Sequence, residues 1–400
     1  MSKTIGIIRE GKQPADLRTP LSPKHCAELL KYFPDVKILV QPAPFRCFSD
    51  AQYQAEGITV QEDLSECDIL LGVKEVPVEA LLANKTYLFF SHTIKKQMHN
   101  RPLLRAILAK NITLVDYETL TWEAGNRIIG FGRFAGIVGA HYALLMLGKK
   151  YGYYTLKPAH ELPNYEALLS QYEGLKLPPV RIVLCGDGRV AHGCMEFLRK
   201  LKILEVSRQE FLEEEHNKPV FVHLRSEDYY ERKDGKTWDK ADFYKHPDDY
   251  KSCFKPYAEQ ADIFLNAVFW KMGVEPFFTQ EEMKDSGFRI KIISDITCDV
   301  PGPVPSTLRS SSIADPFYGY NVYTEKEVQP FLPNVIDVQA VANLPCELPY
   351  DASMAFGEQL VRHVLPCLLD EDKEQIIAHA TLASQGKLMP KFAYLQDFVD

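Results

Sequence analysis

Two ionisable side chains follow apolar runs near the start of the chain. Lys74 ends the run "DILLGVK", and His92 ends the run "KTYLFFSH". Such runs are typical of the buried strands of a parallel sheet, whose carboxyl ends form the ligand-binding edge. A lysine beside apolar walls has a lowered pKa, and a histidine side chain titrates near neutrality without any shift. The pair therefore predicts proton transfer, the alternative being a solvated lysine and a hydrogen-bonded structural histidine.

Four further charged residues suit an acidic substrate that also carries an amine. Arg18 lies in "ADLRTPLSP", after the first apolar run, and Arg127 lies in "GNRIIGFG". An arginine can hold a carboxylate through two parallel hydrogen bonds. Glu75 and Glu118 could each meet an ammonium group. The alternative for all four is an ordinary charge on the protein surface.

A glycine-rich turn indicates a nucleotide site. The segment "VLCGDGRVAHG" places Gly186, Gly188 and Ala191 in the pattern G-x-G-x-x-A, directly after an apolar strand and before a helix. In this context the glycines allow a pyrophosphate to approach the backbone at the helix N-terminus. Arg189 and Val190, which open that helix, are included as cofactor-binding candidates. The alternative is a tight turn without a ligand.

The following segment bears on the choice between NAD and NADP. It reads "KILEVSRQEF", so that Ser207 and Arg208 occupy the expected strand tip and no aspartate does. An arginine at this position suits the 2′-phosphate of NADP, whereas an acidic residue would bind the free ribose hydroxyl of NAD. We therefore favour NADP. In the alternative, Arg208 is a surface charge and Glu205 or Glu210 binds the ribose of NAD.

Composition excludes several classes of protein. The chain has 400 residues and a formal net charge of −8, which argues against nucleic acid or an anionic membrane as the main partner. It contains no run of about 18 apolar residues, and its first residues do not resemble a signal peptide. Nine cysteines without C-x-x-C pairing favour a reducing compartment. We expect a cytoplasmic enzyme of small molecules, and no metal site.

The elements that must position these residues alternate between strand and helix. Apolar strands separated by amphipathic helices predict a mostly parallel sheet, and an apolar helix at 132–152 leads into a second β-turn-α unit. We predict an α/β protein with two Rossmann-like, doubly wound domains and a cleft between them. The substrate domain would comprise 1–130 and 325–400, and the dinucleotide-binding domain 131–324. We expect 205–258 to be an irregular surface insertion.

The separate motifs together resemble one known family. They include "LRTPLSPKH", "DILLGVK", "KTYLFFSHTIK", "GDGRVAHG" and "ANLPCELPYDAS", in this order along the chain. The chain resembles the saccharopine dehydrogenase (L-lysine-forming) and lysine–ketoglutarate reductase family, within the alanine dehydrogenase and transhydrogenase superfamily. The resemblance extends over nearly the whole chain. It is strongest to the reductase half of a bifunctional enzyme, and we expect no second fused enzyme here.

The resemblance implies a role at each matching position. Lys74 and His92 match the acid/base pair, and Arg18 matches an arginine that binds a substrate carboxylate. Glu75, which is typical of the fungal members, lies in the substrate pocket. The remaining matches are Glu118, Arg127 and Phe131 in the substrate pocket, Gly186 and Gly188 in the cofactor turn, and Asp295 and Asn343 beside the nicotinamide.

The implied reaction joins lysine to 2-oxoglutarate with NAD(P)H to give saccharopine, reversibly. The alternative is reductive amination of a small 2-oxo acid, as in alanine dehydrogenase. A third hypothesis is a protein that binds the nicotinamide cofactor without catalysis. Members of the superfamily range from monomers to hexamers, so self-association into a homo-oligomer stays open.

Overall fold

The computed structural model describes residues 3–400, which form two compact units. The first contains the chain up to Phe131 together with Pro349–Asp400, and the second is Gly132–Leu348. Strands and helices are numbered along the chain.

The first unit is built on an eight-stranded sheet with the order β18-β17-β6-β5-β4-β1-β2-β3. Its strands are β1 (Thr4–Ile7), β2 (Lys37–Val40), β3 (Thr59–Val60), β4 (Ile69–Leu71), β5 (Thr86–Phe89), β6 (Thr113–Asp116), β17 (Thr381–Ser384) and β18 (Lys387–Leu388). Its helices are α1 (Pro23–Tyr32), α2 (Asp50–Ala55), α3 (Arg101–Ala109), α11 (Pro349–Gln359), α12 (Leu365–Leu369), α13 (Ile376–Ala380) and α14 (Gln396–Val399). The six strands from β6 to β3 are parallel, as their apolar sequences predict.

Alternate residues of each central strand pack on opposite faces of this sheet. Ile69 and Leu71 of β4 join the hydrophobic cluster on one face, and Leu70 joins the cluster on the other. The second cluster also contains Phe392 and Phe398 from the end of the chain. Both faces are therefore covered, and only the ends of the strands are open to a ligand.

The second unit has its own eight-stranded sheet, with the order β15-β14-β16-β13-β12-β7-β9-β8, and a separate two-stranded sheet of β10 and β11. Its strands are β7 (Arg181–Cys185), β8 (Leu204–Glu205), β9 (Val220–Leu224), β10 (Tyr230–Arg232), β11 (Tyr250–Ser252), β12 (Ile263–Asn266), β13 (Ile292–Asp295), β14 (Phe317–Asn321), β15 (Lys326–Val328) and β16 (Ile336–Gln339). Its helices are α4 (Gly132–Tyr151), α5 (Tyr165–Ser170), α6 (Arg189–Lys200), α7 (Arg208–Glu213), α8 (Ser226–Tyr229), α9 (Lys240–Lys245) and α10 (Lys255–Ala258).

Two features of the second unit differ from the sequence prediction. Within 205–258, which we expected to be irregular, β9 forms a buried strand between β7 and β8. Its short apolar run "VFV" is enclosed by polar residues, which hid it. The chain also returns to the first unit at Pro349 rather than at 325, because β15 and β16 still belong to the second sheet.

The long helix α4 packs closely against α6. A Cβ atom at Gly136 would lie 1.9 Å from the backbone oxygen of Val190, so only glycine permits this approach. The contact fixes the N-terminus of α6, which carries the glycine-rich turn. Although α4 is apolar, no helix within residues 3–400 has the length and hydropathy needed to cross a membrane.

Candidate active site

Lys74 and His92 leave the first sheet at the same edge. β4 and β5 are parallel neighbours in which Leu71 pairs with Leu88. Each ionisable residue follows shortly after the end of its strand, and each side chain is only partly exposed. The strand-end positions are therefore as the sequence indicated, while the acid/base roles remain a prediction.

Glu75 joins this edge through two ion pairs. Its Oε1 lies 2.6 Å from Nδ1 of His92, and its Oε2 lies 3.2 Å from Nζ of Lys12. Burial alone would raise the pKa of Glu75, but the hydrogen bond and charge of His92, together with Lys12, lower it to about 2. Glu75 is therefore ionised at neutral pH, and it orients the His92 ring.

The ammonium group of Lys74 lies in an unfavourable environment. Burial lowers the pKa of Lys74, and the charges of Arg18 and Lys12 lower it further, against the opposing effect of Asp16 and Glu75. A lysine with a lowered pKa can release and recover a proton more readily at neutral pH. This electrostatic environment supports the predicted role of Lys74.

Glu10 is a part of this edge that the sequence analysis missed. It follows β1, the strand beside β4, and its carboxylate accepts hydrogen bonds from the backbone N–H groups of Val73 (2.7 Å) and Lys74 (2.8 Å). Burial raises the pKa of Glu10 to about 7, and the charge of Asp16 contributes. Glu10 thus holds the backbone that presents Lys74. The run "TIGIIRE" ends in an ionisable residue, the same signal that drew attention to Lys74 and His92.

Arg18 is held by an acidic and an aromatic neighbour. Its Nε and Nη2 donate to the two carboxylate oxygens of Asp16 at 2.9 and 2.6 Å, and both side chains are only 2% exposed. The guanidinium lies 4.2 Å from the ring centroid of Phe131, which stacks on Phe356 at 4.5 Å. The structure thus brings together Arg18 and Phe131, two predicted site residues, and adds Asp16.

Glu118 and Arg127, two further predicted site residues, form an ion pair with each other. Oε1 of Glu118 accepts from Nη2 of Arg127 at 2.8 Å, whereas its buried Oε2 meets no hydrogen-bond donor within residues 3–400. Asp116 accepts from the Glu118 N–H at 2.8 Å, and burial raises the pKa of Asp116 to about 6. A buried carboxylate oxygen without a partner is costly. Its presence is consistent with a site completed by a ligand ammonium or hydroxyl group.

The glycine-rich turn of the second unit borders a cavity of about 610 Å³. Gly186 has φ +128°, and a Cβ there would lie 2.4 Å from the backbone oxygen of Ala267. Gly188 begins α6, and a Cβ there would meet nothing within 4 Å. This open space at a helix N-terminus fits a pyrophosphate. Gly186, Gly188 and Val190 line the cavity, and Arg189 does not.

The residues proposed for the ribose follow β8, as expected, but β8 is not the strand beside the glycine-rich turn. Ser207 caps α7 by accepting from the Glu210 N–H, and Arg208 donates to Asp228 at 2.6 Å. Neither residue lines the cavity. β9 lies between β7 and β8, so β9 is the strand beside the glycine-rich turn. β9 is followed by Arg225 and Ser226, which line the cavity. Because β9 was not predicted, β8 was expected to lie beside β7, and a ribose contact of Ser207 or Arg208 stays a prediction.

Asp295 and Asn343 also lie outside this cavity. Asp295 is fully buried and accepts from Asn266 (2.8 Å), Thr307 (2.5 Å) and the N–H of Cys298 (3.2 Å). Burial raises the pKa of Asp295 to about 6. Asn343 donates to Sγ of Cys346 at 2.7 Å. Asp295 thus stabilises the loop after β13, and a contact of either residue with nicotinamide stays a prediction.

Comparisons with known proteins agree with this architecture. Residues 6–138 match the family model described as "Alanine dehydrogenase/PNT, N-terminal domain". A solved L-alanine dehydrogenase covers 99% of this chain and 100% of its own, with a TM-score of 0.66 and 15% sequence identity. The fold is therefore that of L-alanine dehydrogenase and of a solved transhydrogenase, which has a TM-score of 0.60 and 14% sequence identity.

Two curated relatives are similar to this chain over most of its length. An alpha-aminoadipic semialdehyde synthase of Arabidopsis thaliana is 30% identical over 98% of this chain and 41% of its own length. A saccharopine dehydrogenase [NAD(+), L-lysine-forming] of Yarrowia lipolytica is 26% identical over 90% of each chain. This chain thus spans less than half of the synthase. Over nearly its whole length it is similar to saccharopine dehydrogenases (L-lysine-forming) and to part of the alpha-aminoadipic semialdehyde synthases.

Proposed function

We propose that this chain catalyses the NAD(P)H-dependent joining of lysine and 2-oxoglutarate to form saccharopine, and the reverse reaction. The observation that carries the proposal is the edge of the first sheet, where Lys74 and His92 follow neighbouring parallel strands and Glu75 binds His92. The similarity to saccharopine dehydrogenases and the arrangement of charges each support this chemistry.

The residues of this edge suit the proton transfers of the reaction. The ε-amine of lysine adds to the keto carbon of 2-oxoglutarate, and the resulting carbinolamine loses water to give an imine. Lys74, with its lowered pKa, and His92, oriented by Glu75, would move protons between the carbinolamine oxygen and the nitrogen. The nicotinamide, when bound, supplies the hydride that reduces the imine, or accepts it in reverse.

The charged side chains of Arg18, Arg127 and Glu118 suit the ends of the substrate. Saccharopine carries three carboxylates and an α-ammonium group, so its site requires both cations and anions. Arg18 and Arg127 would hold carboxylates. The unpartnered Oε2 of Glu118 would accept from an ammonium group, which relieves the cost of its burial.

We further propose NADP(H) as the preferred cofactor and the cytoplasm as the compartment. Arg225 and Ser226, rather than an acidic residue, follow the end of β9, and an arginine there favours a 2′-phosphate. Buried thiols such as Cys26 and Cys194 take part in no disulfide, which favours a reducing environment.

The test is oxidation of NADPH and of NADH, followed by absorbance in parallel cuvettes. One cuvette contains lysine and 2-oxoglutarate, and the other contains pyruvate and ammonia. Oxidation only with lysine and 2-oxoglutarate, and identification of saccharopine by mass spectrometry, is the expected result. Oxidation only with pyruvate and ammonia would instead assign an alanine dehydrogenase-like reaction, and no oxidation in either would overturn the proposed substrates.

A further inference from the structure

His92 lies in an uncommon backbone conformation. Its φ is +51°, in the left-handed region that residues other than glycine seldom adopt. Such a conformation persists only where the surrounding structure holds it. The contact of 2.6 Å between Nδ1 of His92 and Oε1 of Glu75 orients the ring, but it does not fix the backbone. The groups that fix the backbone belong to the two residues beside His92.

These two residues, Ser91 and Thr93, are fully buried, and their hydroxyl oxygens lie 2.7 Å apart. Ser91 Oγ also accepts from the Thr93 N–H at 3.3 Å, so that the serine closes a tight turn around His92. The Ser91 hydroxyl donates in turn to Oδ2 of Asp116. Asp116 therefore orients the serine on which the conformation of His92 depends.

The other oxygen of Asp116 serves a second predicted site residue. Asp116 ends β6, the strand beside β5, and is itself fully buried. Its Oδ1 accepts from the N–H of Glu118, the glutamate whose side chain binds Arg127. Burial raises the pKa of Asp116 to about 6, while the hydrogen bonds from Ser91 and from the Glu118 N–H lower it. Asp116 is therefore ionised at neutral pH, and both bonds are charge-assisted.

We propose that Asp116 is a positioning residue that holds two parts of the active site at once. Through Ser91 it keeps His92 in its left-handed conformation, and through the Glu118 N–H it holds the glutamate that receives the substrate ammonium group. The inference rests on the proposed function only for the roles of His92 and Glu118. A misplacement of about 1 Å can cost roughly 10²-fold in rate, so the proton transfer and the substrate contact both depend on this carboxylate.

The two branches can be cut separately. Ser91→Ala removes the branch to His92 and leaves the bond to the Glu118 N–H, so kcat for saccharopine oxidation should fall by about 10- to 100-fold with an unchanged KM. Asp116→Ala removes both acceptors, so kcat should fall by the same factor and the KM for saccharopine should rise by about 10- to 100-fold. In the double variant kcat should fall no further, because both changes break one branch.

Two further variants serve as controls. Asp116→Asn keeps the shape of the side chain and one accepting oxygen, so its kinetic constants should lie between those of Asp116→Ala and wild type. It also keeps the inference testable if Asp116→Ala does not fold. Thr113→Val, at the other end of β6, removes a hydroxyl that lies 3.1 Å from that of Ser384, and it should leave kcat and KM unchanged.

Three kinetic outcomes would overturn the inference: a wild-type kcat in Ser91→Ala, a wild-type KM in Asp116→Ala, or losses of kcat that multiply in the double variant. Hydrogen exchange without substrate gives an independent readout. The Thr93 amide should exchange faster in Asp116→Ala, although Asp116 does not bind that amide, while the Glu118 amide should keep its rate in Ser91→Ala. If wild type oxidises no saccharopine, the proposed function fails, and unchanged exchange of Thr93 in Asp116→Ala would separately overturn this inference.

Discussion

The two candidate sites are built by different physical means. At the edge of the first sheet, charges are held in place by other charges: Glu75 binds His92 and Lys12, and Asp16 binds Arg18. In the second unit, the cavity depends on the absence of side chains at the glycine turn and on aromatic walls. Proton transfer needs groups oriented before the substrate arrives, whereas a large nucleotide needs space of the right shape.

A large effect that is confined to the second of these sites is expected from Gly186→Ala. The new Cβ would meet the Ala267 backbone at 2.4 Å, at a φ of +128° that L-residues rarely adopt. Strain of about 1–3 kcal/mol should appear as a lower free energy of unfolding in urea. If the turn shifts to relieve it, nucleotide affinity should fall by roughly 10- to 100-fold.

Gly188→Ala is the matched control, because its Cβ meets nothing within 4 Å. This variant should remain as stable as wild type while binding NADPH more weakly, since the methyl group would occupy the space proposed for the pyrophosphate. Full affinity in Gly188→Ala would contradict that placement.

Glu118→Gln probes the unpartnered oxygen in the first unit. Replacing a buried carboxylate that accepts from an ammonium group should raise the KM for lysine or saccharopine by about 10- to 100-fold. Cofactor affinity should stay unchanged. Glu123→Gln, at an exposed glutamate of the same loop, should behave as wild type. Equal KM values in the two variants would exclude the proposed contact.

Glu75 should make the protein sensitive to acid. Its pKa falls from an ordinary 4.5 to about 2 on folding, so the unfolded state binds more protons between these values. The stabilisation is present above pH 4.5 and is lost as the pH falls towards about 2, with a total of about 3 kcal/mol. Urea unfolding measured at several acidic pH values should show a smaller decrease in the free energy of unfolding for Glu75→Gln than for wild type. The exposed pair Lys37–Glu66 supplies the control, since Glu66→Gln should not alter the profile.

Glu10 should make the free energy of unfolding depend on pH in the opposite direction and by a smaller amount. Its pKa rises from 4.5 to about 7 on folding, so its contribution is present below pH 4.5 and is lost as the pH rises through 7. Between pH 5 and 7 the loss amounts to about 2 kcal/mol. The free energy of unfolding of Glu10→Gln should lack this decline. A wild-type slope in the variant would show that Glu10 does not titrate in this range.

Much of the first unit could be predicted from its sequence, because its strands are short apolar runs separated by helices with clear start signals. Ser22 accepts from the His25 N–H as an N-cap, with Pro23 at the first helical position. The strand-end positions of Lys74 and His92 follow from the same pattern. The ion pairs of Glu75 and Asp16 could not be predicted, since they depend on loop conformations that periodicity does not specify.

The second unit was harder to predict because its strand order differs from its chain order. β8 follows α6 along the chain, yet β9 is the neighbour of β7. A strand of five residues inside a polar segment gives a weak signal, and without it the sequence places Arg208, rather than Arg225, beside the glycine turn. The aromatic residues that line the cavity beside the glycine-rich turn are spread over 229–277, and no local sequence pattern connects them.

The most direct test of the proposed mechanism is the turnover of Lys74→Met, measured with lysine, 2-oxoglutarate and NADPH beside the dissociation constant for NADPH. Methionine keeps an unbranched apolar side chain and removes the proton carrier. The turnover number should fall by about 10²- to 10⁴-fold, the usual range for general acid–base catalysis, while NADPH affinity stays unchanged. Turnover equal to that of wild type would contradict the assignment of Lys74 as a catalytic residue.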